Sequence, residues 1–164
     1  MGLQLDNIDR RILGVLQNEG RLSNVELAER VGLTPAPCLR RVRALEETGV
    51  IQKYAALVEP NALALGVTVF AQVTLDKQVK QQLEVFERSV REWPEVMDCY
   101  LMTGDSDYLL RIVLPDVEAY ERFLNEALTQ VPGVASIKSS FALRQVKYST
   151  ALPLIPEDLD ARSA

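Results

Sequence analysis

The sequence predicts an α+β protein made of two modules, a winged helix-turn-helix followed by a ferredoxin-like β-α-β-β-α-β domain. Short amphipathic helices with clear start and stop signals occupy residues 1–58, and strands alternate with helices over residues 67–148. The charge also differs between the two parts. Residues 1–55 carry eight basic and seven acidic side chains, a net +1, whereas residues 56–164 carry ten basic and sixteen acidic ones, a net −6. Only the first module therefore has a charge balance that suits a polyanion.

The first two predicted helices carry recognisable capping signals. In "DNIDRRILGVLQNEG", Asp6 is the expected N-cap, and Asp9 lies in the first turn, where an acidic side chain suits the helix dipole. In "SNVELAERVG", Ser23 and Glu26 have the spacing of a capping box, and Gly32 suits the position after the helix. Because this second helix is barely two turns long, it must pack on its neighbours to be stable.

The third helix is predicted within "TPAPCLRRVRALEETG". Thr34 is the expected N-cap, and Pro35 suits the first helical position, where a missing N–H costs nothing. Leu39, Val42 and Leu45 are expected to form one buried apolar ridge. The basic residues then face outward: Arg40, Arg41 and Arg43.

Two short helices joined by a tight turn, the second with a basic outer face, are typical of a DNA-binding helix-turn-helix. The stretch "VIQKYAALV", Val50 to Val58, is predicted as a strand of a small wing. An alternative is that the arginines only solvate a helix face, or pair with Glu46 or Glu47. If the third helix enters the major groove, its N-terminal turns face the bases. The candidate DNA contacts are Ser23, Thr34, Pro35, Ala36, Pro37, Cys38, Arg40, Arg41 and Arg43.

The second module follows a linker-like stretch, residues 59–66, and contains an internal repeat. "VTVFAQVTL" alternates as a strand, and two β-α-β halves are each closed by a proline and a valine, in "WPEV" and "VPGV". This order predicts a four-stranded antiparallel sheet with helices on one side and an open face on the other. Such an apolar face would suit dimerisation. The pattern leaves open on which face each of four side chains lies: Phe70, Tyr100, Met102 and Phe141.

The turn "TGDSDY", Thr103 to Tyr108, places a glycine, two carboxylates and an aromatic ring within six residues. Backbone N–H groups in such a turn can hold a carboxylate, and Asp105 or Asp107 can hold an ammonium group, so the turn suits a free amino acid. The alternative is ordinary hairpin-turn chemistry. A calcium loop is disfavoured because the other spaced ligands are missing.

Several function classes are disfavoured by composition. The chain has no histidine, which excludes Ser-His-Asp and Cys-His nucleophile systems and His-ligated zinc. No catalytic residue, metal or cofactor is assigned, so we do not expect an enzyme. The two cysteines lie far apart, and neither a membrane-length apolar run nor a secretory signal pattern is found. We therefore expect a cytoplasmic protein without a membrane partner.

The long string "LDNIDRRILGVLQNEGRLSNVELAERVGLTPAPCLRRVRALEETGVIQKYAALVEP" resembles the DNA-binding half of the Lrp/AsnC, or feast/famine, family of transcription regulators. "TGDSDYLLRIVLPD", "AYERFL" and "VPGV" resemble the family's ligand-sensing half, so the resemblance covers about residues 5–150. It implies a DNA-binding domain at 1–58, a hinge at 59–66 and an effector and oligomerisation domain at 67–148. The tail, 149–164, matches nothing recognisable.

The resemblance also implies double-stranded DNA and a small amino acid as partners, with dimers that form through the sheet faces and assemble into tetramers or octamers. The effector would bind between dimers near the turn, and its candidate contacts are Met102, Thr103, Gly104, Asp105, Asp107 and Tyr108, with Val134, Ala135 and Ser136 from the next subunit. The scarcity of other charged residues there favours leucine or methionine. The alternative function is an amino-acid-binding module that regulates a protein partner without binding DNA.

Overall fold

The computed structural model describes residues 5–154, so the outer ends of the predicted first module and tail, 1–4 and 155–164, lie outside it. The described chain forms two compact units. Residues 5–57 and 147–154 make up the first unit, and residues 58–146 make up the second. The stretch expected as a hinge, 59–66, contains a short 3₁₀ helix, Pro60–Leu63, and belongs to the second unit.

Three helices build the first unit: α1 (Asn7–Leu16), α2 (Asn24–Val31) and α3 (Pro35–Glu47). Both predicted capping signals are confirmed, since α1 and α2 each begin with a reciprocal capping box, Asp6 with Asp9 and Ser23 with Glu26. The helices enclose a small apolar core made of Ile12, Leu13, Leu27, Ala28, Val31, Cys38 and Leu45.

The buried face of α3 differs from the expected ridge. Leu39 is 38% exposed, while Cys38 is completely buried. The reason is geometric, because successive residues of an α-helix turn by about 100°, so positions i, i+3 and i+6 drift around the axis. Cys38, Val42 and Leu45, at i, i+4 and i+7, stay on one face and supply the contact with α1 and α2.

The chain after α3 does not form the strand that was expected at Val50–Val58. The chain bends at Val50 and Ile51, the rest of the segment has no regular secondary structure, and no strand among the described residues pairs with it. A β-strand needs a hydrogen-bonding neighbour, and the segment is instead held by local contacts. The N–H of Ile51 donates to the carbonyl of Leu45 at 3.0 Å, and the Tyr54 hydroxyl donates to Glu46 at 2.9 Å.

The second unit has the predicted β-α-β-β-α-β order. Its elements are β1 (Val67–Leu75), α4 (Lys80–Arg91), β2 (Val96–Leu101), β3 (Tyr108–Leu114), α5 (Val117–Glu126) and β4 (Val134–Phe141), with a 3₁₀ turn at Leu128–Gln130. The strands form one antiparallel sheet in the order β2-β3-β1-β4. The stretch "VASIKSSFALRQVK", residues 134–147, favours one long strand by its sequence, but β4 ends at Phe141. After Phe141 pairs with Val69, little of β1 remains as a partner.

The two faces of the sheet are distinct. Val69, Ala71 and Val73 on β1 are completely buried, in a core shared with the two helices. Phe70 alternates with them, is 38% exposed and lies opposite Arg111 on β3. Tyr100 on β2 is 56% exposed. The structure thus answers part of the question left open by the sequence: Phe70 is on the open face, and Phe141 packs edge-on against Tyr120 of α5.

Candidate DNA-binding and effector sites

The outer surface of α3 is the candidate DNA-binding surface. Ala36, Arg40 and Arg43 recur at spacings of four and three, so they lie on one stripe of the helix, and all three are exposed. Neither the Arg40 nor the Arg43 side chain makes an ion pair or hydrogen bond within residues 5–154. Their guanidinium groups are therefore available to phosphates and base edges.

Arg41 occupies a different position. Its Nη1 donates to Asp9 Oδ1 and to Asp6 Oδ2, both at 2.7 Å, so it joins the middle of α3 to the start of α1. The N–H of Asp9 and the Arg41 guanidinium both hold the pKa of the Asp6 carboxyl below its usual value. The sequence had suggested Glu46 or Glu47 as competing partners for the arginines. The carboxylates that Arg41 meets are instead more than thirty residues away in the chain.

The remaining predicted DNA contacts divide into accessible and buried residues. Thr34, Pro35 and Ala36 are exposed at the start of α3, and the Thr34 side chain makes no capping hydrogen bond. Pro37 is half-buried. Cys38 was expected near DNA, but it is completely buried, because it faces the core shared with α1 and α2.

Ser23 is the N-cap that precedes α2, and it is exposed. Its hydroxyl donates to Glu26 at 2.6 Å as part of the capping box. Nearby, the Asn24 side chain donates to the carbonyl of Pro35 at 2.8 Å and links the starts of α2 and α3. Sequence reasoning missed Asn24, because nothing in the local pattern distinguishes a bridging asparagine from an ordinary first-turn residue.

The turn between β2 and β3 is the centre of the candidate effector site. Met102, Thr103, Gly104 and Asp105 are exposed there. Gly104 has φ +120°, a conformation that side-chain-bearing residues rarely adopt, so the turn depends on this glycine. The exposed segment therefore has a defined shape and a free carboxylate at Asp105.

Asp107 has a structural role that the sequence did not reveal. Its side chain is only 4% exposed, and both carboxylate oxygens are already occupied. One accepts from the N–H of Leu75 at 2.7 Å and the other from Gln78 Nε2 at 2.5 Å. Asp107 therefore fixes the end of β1 and the loop that follows, rather than offering a free carboxylate to a ligand. The sequence did not predict a role for Gln78, because nothing in "DKQVK" marks this glutamine as the partner of a distant carboxylate.

Tyr108 was expected to line the effector pocket, but its side chain is 1% exposed. Its ring stacks at an angle on Phe86 of α4, and its hydroxyl donates to Glu87 at 3.0 Å. Burial and the nearby Glu87 carboxylate raise the pKa of the Tyr108 hydroxyl. Tyr108 thus anchors β3 beneath the turn and does not reach its surface.

The start of β4 lies at the same end of the sheet as this turn, within one chain. Leu75 connects them, since its N–H donates to Asp107 and its backbone pairs with Val134. The predicted effector residues Val134, Ala135 and Ser136 line a surface groove of about 300 Å³. None of the residues lining this groove is charged: Leu124, Thr129, Val134, Ala135, Ser136, Ile137 and Ser139.

Neither a metal site nor a membrane-spanning helix is found in the described part of the chain. Across residues 5–154, no group of three or more histidine, cysteine or carboxylate side chains is placed to hold a metal ion. Within that same range, no helix is long and apolar enough to span a bilayer.

Comparison with known proteins assigns both units. A model of winged helix-turn-helix DNA-binding domains matches residues 5–52, and the Lrp/AsnC ligand binding domain matches residues 68–152. The leucine-responsive regulatory proteins of Salmonella typhimurium and Escherichia coli are 45% identical over 151 residues, which cover 92% of this chain and 92% of each relative.

Solved structures agree with this assignment. A transcriptional regulator from Neisseria meningitidis in complex with L-methionine superposes with a TM-score of 0.89 at 45% identity, over 95% of this chain and 99% of that one. An AsnC family transcriptional regulator from Agrobacterium tumefaciens gives a TM-score of 0.86 at 40% identity, over 90% and 96% of the two chains. These relatives are regulators and not enzymes, and the chain is a DNA-binding transcription regulator of the Lrp/AsnC family.

Proposed function

We propose that this regulator binds duplex DNA as an oligomer, in the cytoplasm where that DNA is, and that a neutral, apolar amino acid, leucine or methionine, modulates its DNA binding or its oligomeric state. The observation that carries the proposal is the separation of tasks within one chain. Exposed arginines without a partner among residues 5–154 lie on α3, and in the second unit an uncharged groove and an exposed acidic turn lie at the same end of the sheet.

The exposed stripe of α3 supports the DNA contact. Arg40 and Arg43 are free to donate to phosphates or guanine edges, with Ala36 near the bases at the same face. The first 55 residues have a net charge of only +1, so one copy would bind weakly. Two copies that present two helices to two half-sites would bind far more tightly.

The groove and the turn support the choice of effector. A free amino acid needs a donor for its carboxylate, an acceptor for its ammonium group and room for its side chain. Exposed backbone at Thr103 and Gly104 and the free carboxylate of Asp105 can meet the first two needs. The uncharged lining at Val134 and Ala135 suits an aliphatic side chain. A regulator with 45% identity crystallised with L-methionine points the same way.

The open sheet face supports dimerisation. Phe70 and Tyr100 are large, exposed and apolar, and a neighbouring ion pair joins Arg111 to Asp98 at 2.5 Å. Burying such a face against a second copy would remove apolar surface from water. Higher assembly of these dimers would then bring the turn of one subunit to the groove of another.

Thermal-shift measurements across the twenty amino acids test the effector. Leucine or methionine should raise the unfolding temperature in a concentration-dependent way, because a ligand that binds the native state stabilises it by mass action. Lysine and aspartate serve as charged controls of similar size. If no amino acid raises the unfolding temperature at saturating concentration, the sensing role is rejected.

DNA binding is tested separately by fluorescence anisotropy with duplex DNA over a series of salt concentrations. The logarithm of the affinity should fall linearly with the logarithm of the salt concentration, by about 0.9 for each phosphate contacted. The same titration, repeated with and without the effector and combined with light scattering, distinguishes altered affinity from altered oligomer size.

A further inference from the structure

The end of the described chain does not stay with the sheet from which it emerges. Strand β4 belongs to the second unit, but residues 147–154 cluster with α1, α2 and α3. The chain therefore crosses between the units twice, between residues 57 and 58 and again between 146 and 147. We call residues 147–154 the C-terminal strap.

Gln17 holds the strap by a reciprocal pair of hydrogen bonds. Its Nε2 donates to the carbonyl of Leu152 at 3.1 Å, and its Oε1 accepts from the N–H of Leu152 at 2.6 Å. A primary amide can satisfy both backbone groups of one residue in this way, as a neighbouring strand would. These partners are 135 positions apart in the chain, so the contact is a tertiary one.

Gly14 provides the second contact. A Cβ atom placed on Gly14 would lie 3.4 Å from Leu154 Cδ1, so the strap passes close to the helix where a side chain is missing. Glycine disfavours a helix interior, and a side chain longer than a methyl group at this position would compete with Leu154 for the same space. Leu154 is 36% exposed, half as much as Leu152 at 73%, so its side chain is the one that rests on the helix.

The strap also forms one side of a mainly apolar, solvent-open pocket in the first unit. A space of about 440 Å³ is bounded by α1, by the segment after α3 and by the strap. Leu13, Leu16 and Ile51 are among its apolar walls, residues 152–154 lie on the strap side, and Gln52 and Lys53 also line it. Removing the strap would expose these walls to water. The described core of the unit has only seven buried apolar residues, so such a loss would weigh heavily.

We propose that the C-terminal strap completes the DNA-binding unit by docking on α1 through Gln17 and Gly14. The strap would steady α1, and α1 in turn holds α3 through the contacts of Arg41 with Asp6 and Asp9. The strap follows the second unit in the chain, and it therefore governs the stability of α1, on which α3 is held. The docking of the strap on α1 does not depend on the proposed function. Only its expected consequence, weaker DNA binding when the strap is lost, rests on that function.

Hydrogen-exchange mass spectrometry on the full chain tests the docking with two substitutions. Gln17→Ala should speed exchange in peptides that cover α1 by about fivefold, because it removes both hydrogen bonds to Leu152. Gly14→Gln places a side chain in the path of Leu154 and should also speed exchange. This sign is diagnostic, since the same substitution in an undocked helix would raise helix propensity and slow exchange.

Gln81→Ala, on the exposed surface of α4, is the matched control and should leave α1 unchanged. Peptides from β1 and β3 should keep their protection in both test variants, which shows that the second unit stays folded and that the effect is confined to the first. A chain ended after Tyr148 should reproduce the faster α1 exchange, and DNA anisotropy should report weaker binding. Unchanged α1 exchange in Gln17→Ala together with slower exchange in Gly14→Gln would overturn the proposal, even if the truncated chain fails to fold.

Discussion

The Arg41 guanidinium on α3 donates to the Asp9 carboxylate on α1 at 2.7 Å, and the same nitrogen reaches Asp6. One of the three arginines of α3 thus holds that helix on its neighbour α1. Arg40 and Arg43 remain exposed without a partner among the described residues. The arginines therefore divide by role, and mutagenesis should separate them.

Replacing Arg40 or Arg43 with Ala should weaken DNA binding and reduce the salt slope by about 1 for each phosphate that the variant no longer binds. Folding stability should change by less than about 0.5 kcal/mol, because both side chains are exposed. Anisotropy titrations at several salt concentrations and thermal unfolding measure the two effects. An unaltered salt slope in both variants would remove these arginines from the DNA-binding surface.

Arg41→Ala should affect folding stability more than direct DNA contact, which is the reverse of what we expect for Arg40→Ala and Arg43→Ala. We expect the stability of the first unit to fall by about 1 kcal/mol, since the substitution removes charge-assisted hydrogen bonds that are partly exposed to solvent. Any fall in DNA affinity should follow from that loosening, so Asp9→Ala should weaken DNA binding in the same way without removing a basic residue. If Asp9→Ala binds DNA normally while Arg41→Ala does not, Arg41 contacts DNA directly.

The Asp6 cap predicts an acid-sensitive start of α1. The pKa of Asp6 is lowered in the folded chain, chiefly by the N–H of Asp9 and further by Arg41, so its contribution to stability is present above its ordinary pKa of 3.8. This contribution is lost as the pH falls through the lower, folded-state value. Asp6→Asn keeps a capping oxygen but does not titrate. Its unfolding free energy should therefore change less between about pH 5 and pH 3, to be measured by urea titration followed by circular dichroism; equal pH dependence would contradict the assignment.

Asp107 and Asp105 should respond differently to substitution. Asp107→Ala leaves the buried N–H of Leu75 without its acceptor, which should cost about 1–3 kcal/mol whether or not an effector is added. Asp105→Ala changes an exposed side chain and should leave the apo stability nearly unchanged, while it reduces the thermal shift produced by leucine or methionine. Thermal unfolding with and without the amino acid compares both variants. A full shift in Asp105→Ala would exclude its carboxylate from the effector site.

The open sheet face should control dimerisation. Phe70→Glu or Tyr100→Glu places a charge on the exposed apolar face and should shift the oligomer toward monomer, because a buried unpaired charge is costly. Size-exclusion chromatography with light scattering measures the change. Val117→Glu is a suitable control, since Val117 is 54% exposed at the start of α5, on the helix side of the sheet. A dimer that survives both sheet substitutions must form through another surface.

The local elements were predictable because their causes are local. The capping boxes at Asp6 and Ser23 join residues three positions apart, and the alternation of β1 places its buried side chains without reference to any other strand. The prediction of the buried face of α3 was wrong for a local reason as well. The predicted ridge used two successive spacings of three residues, from Leu45 back to Val42 and then to Leu39. A spacing of four before Val42 leads instead to Cys38, which is the buried residue.

The two modules, their order and the basic helix could be predicted from the amino-acid sequence, because periodicity, capping and turn chemistry act within a few residues. Which side chains those helices and strands leave free depends on contacts between distant parts of the chain. Arg41, Asp107 and Gln17 each find partners about thirty or more positions away. Such contacts depend on how the chain folds back on itself. Through these contacts Arg41 holds α3 on α1, and Asp107 fixes the backbone next to the turn. Through Gln17, the C-terminal strap becomes part of the first unit.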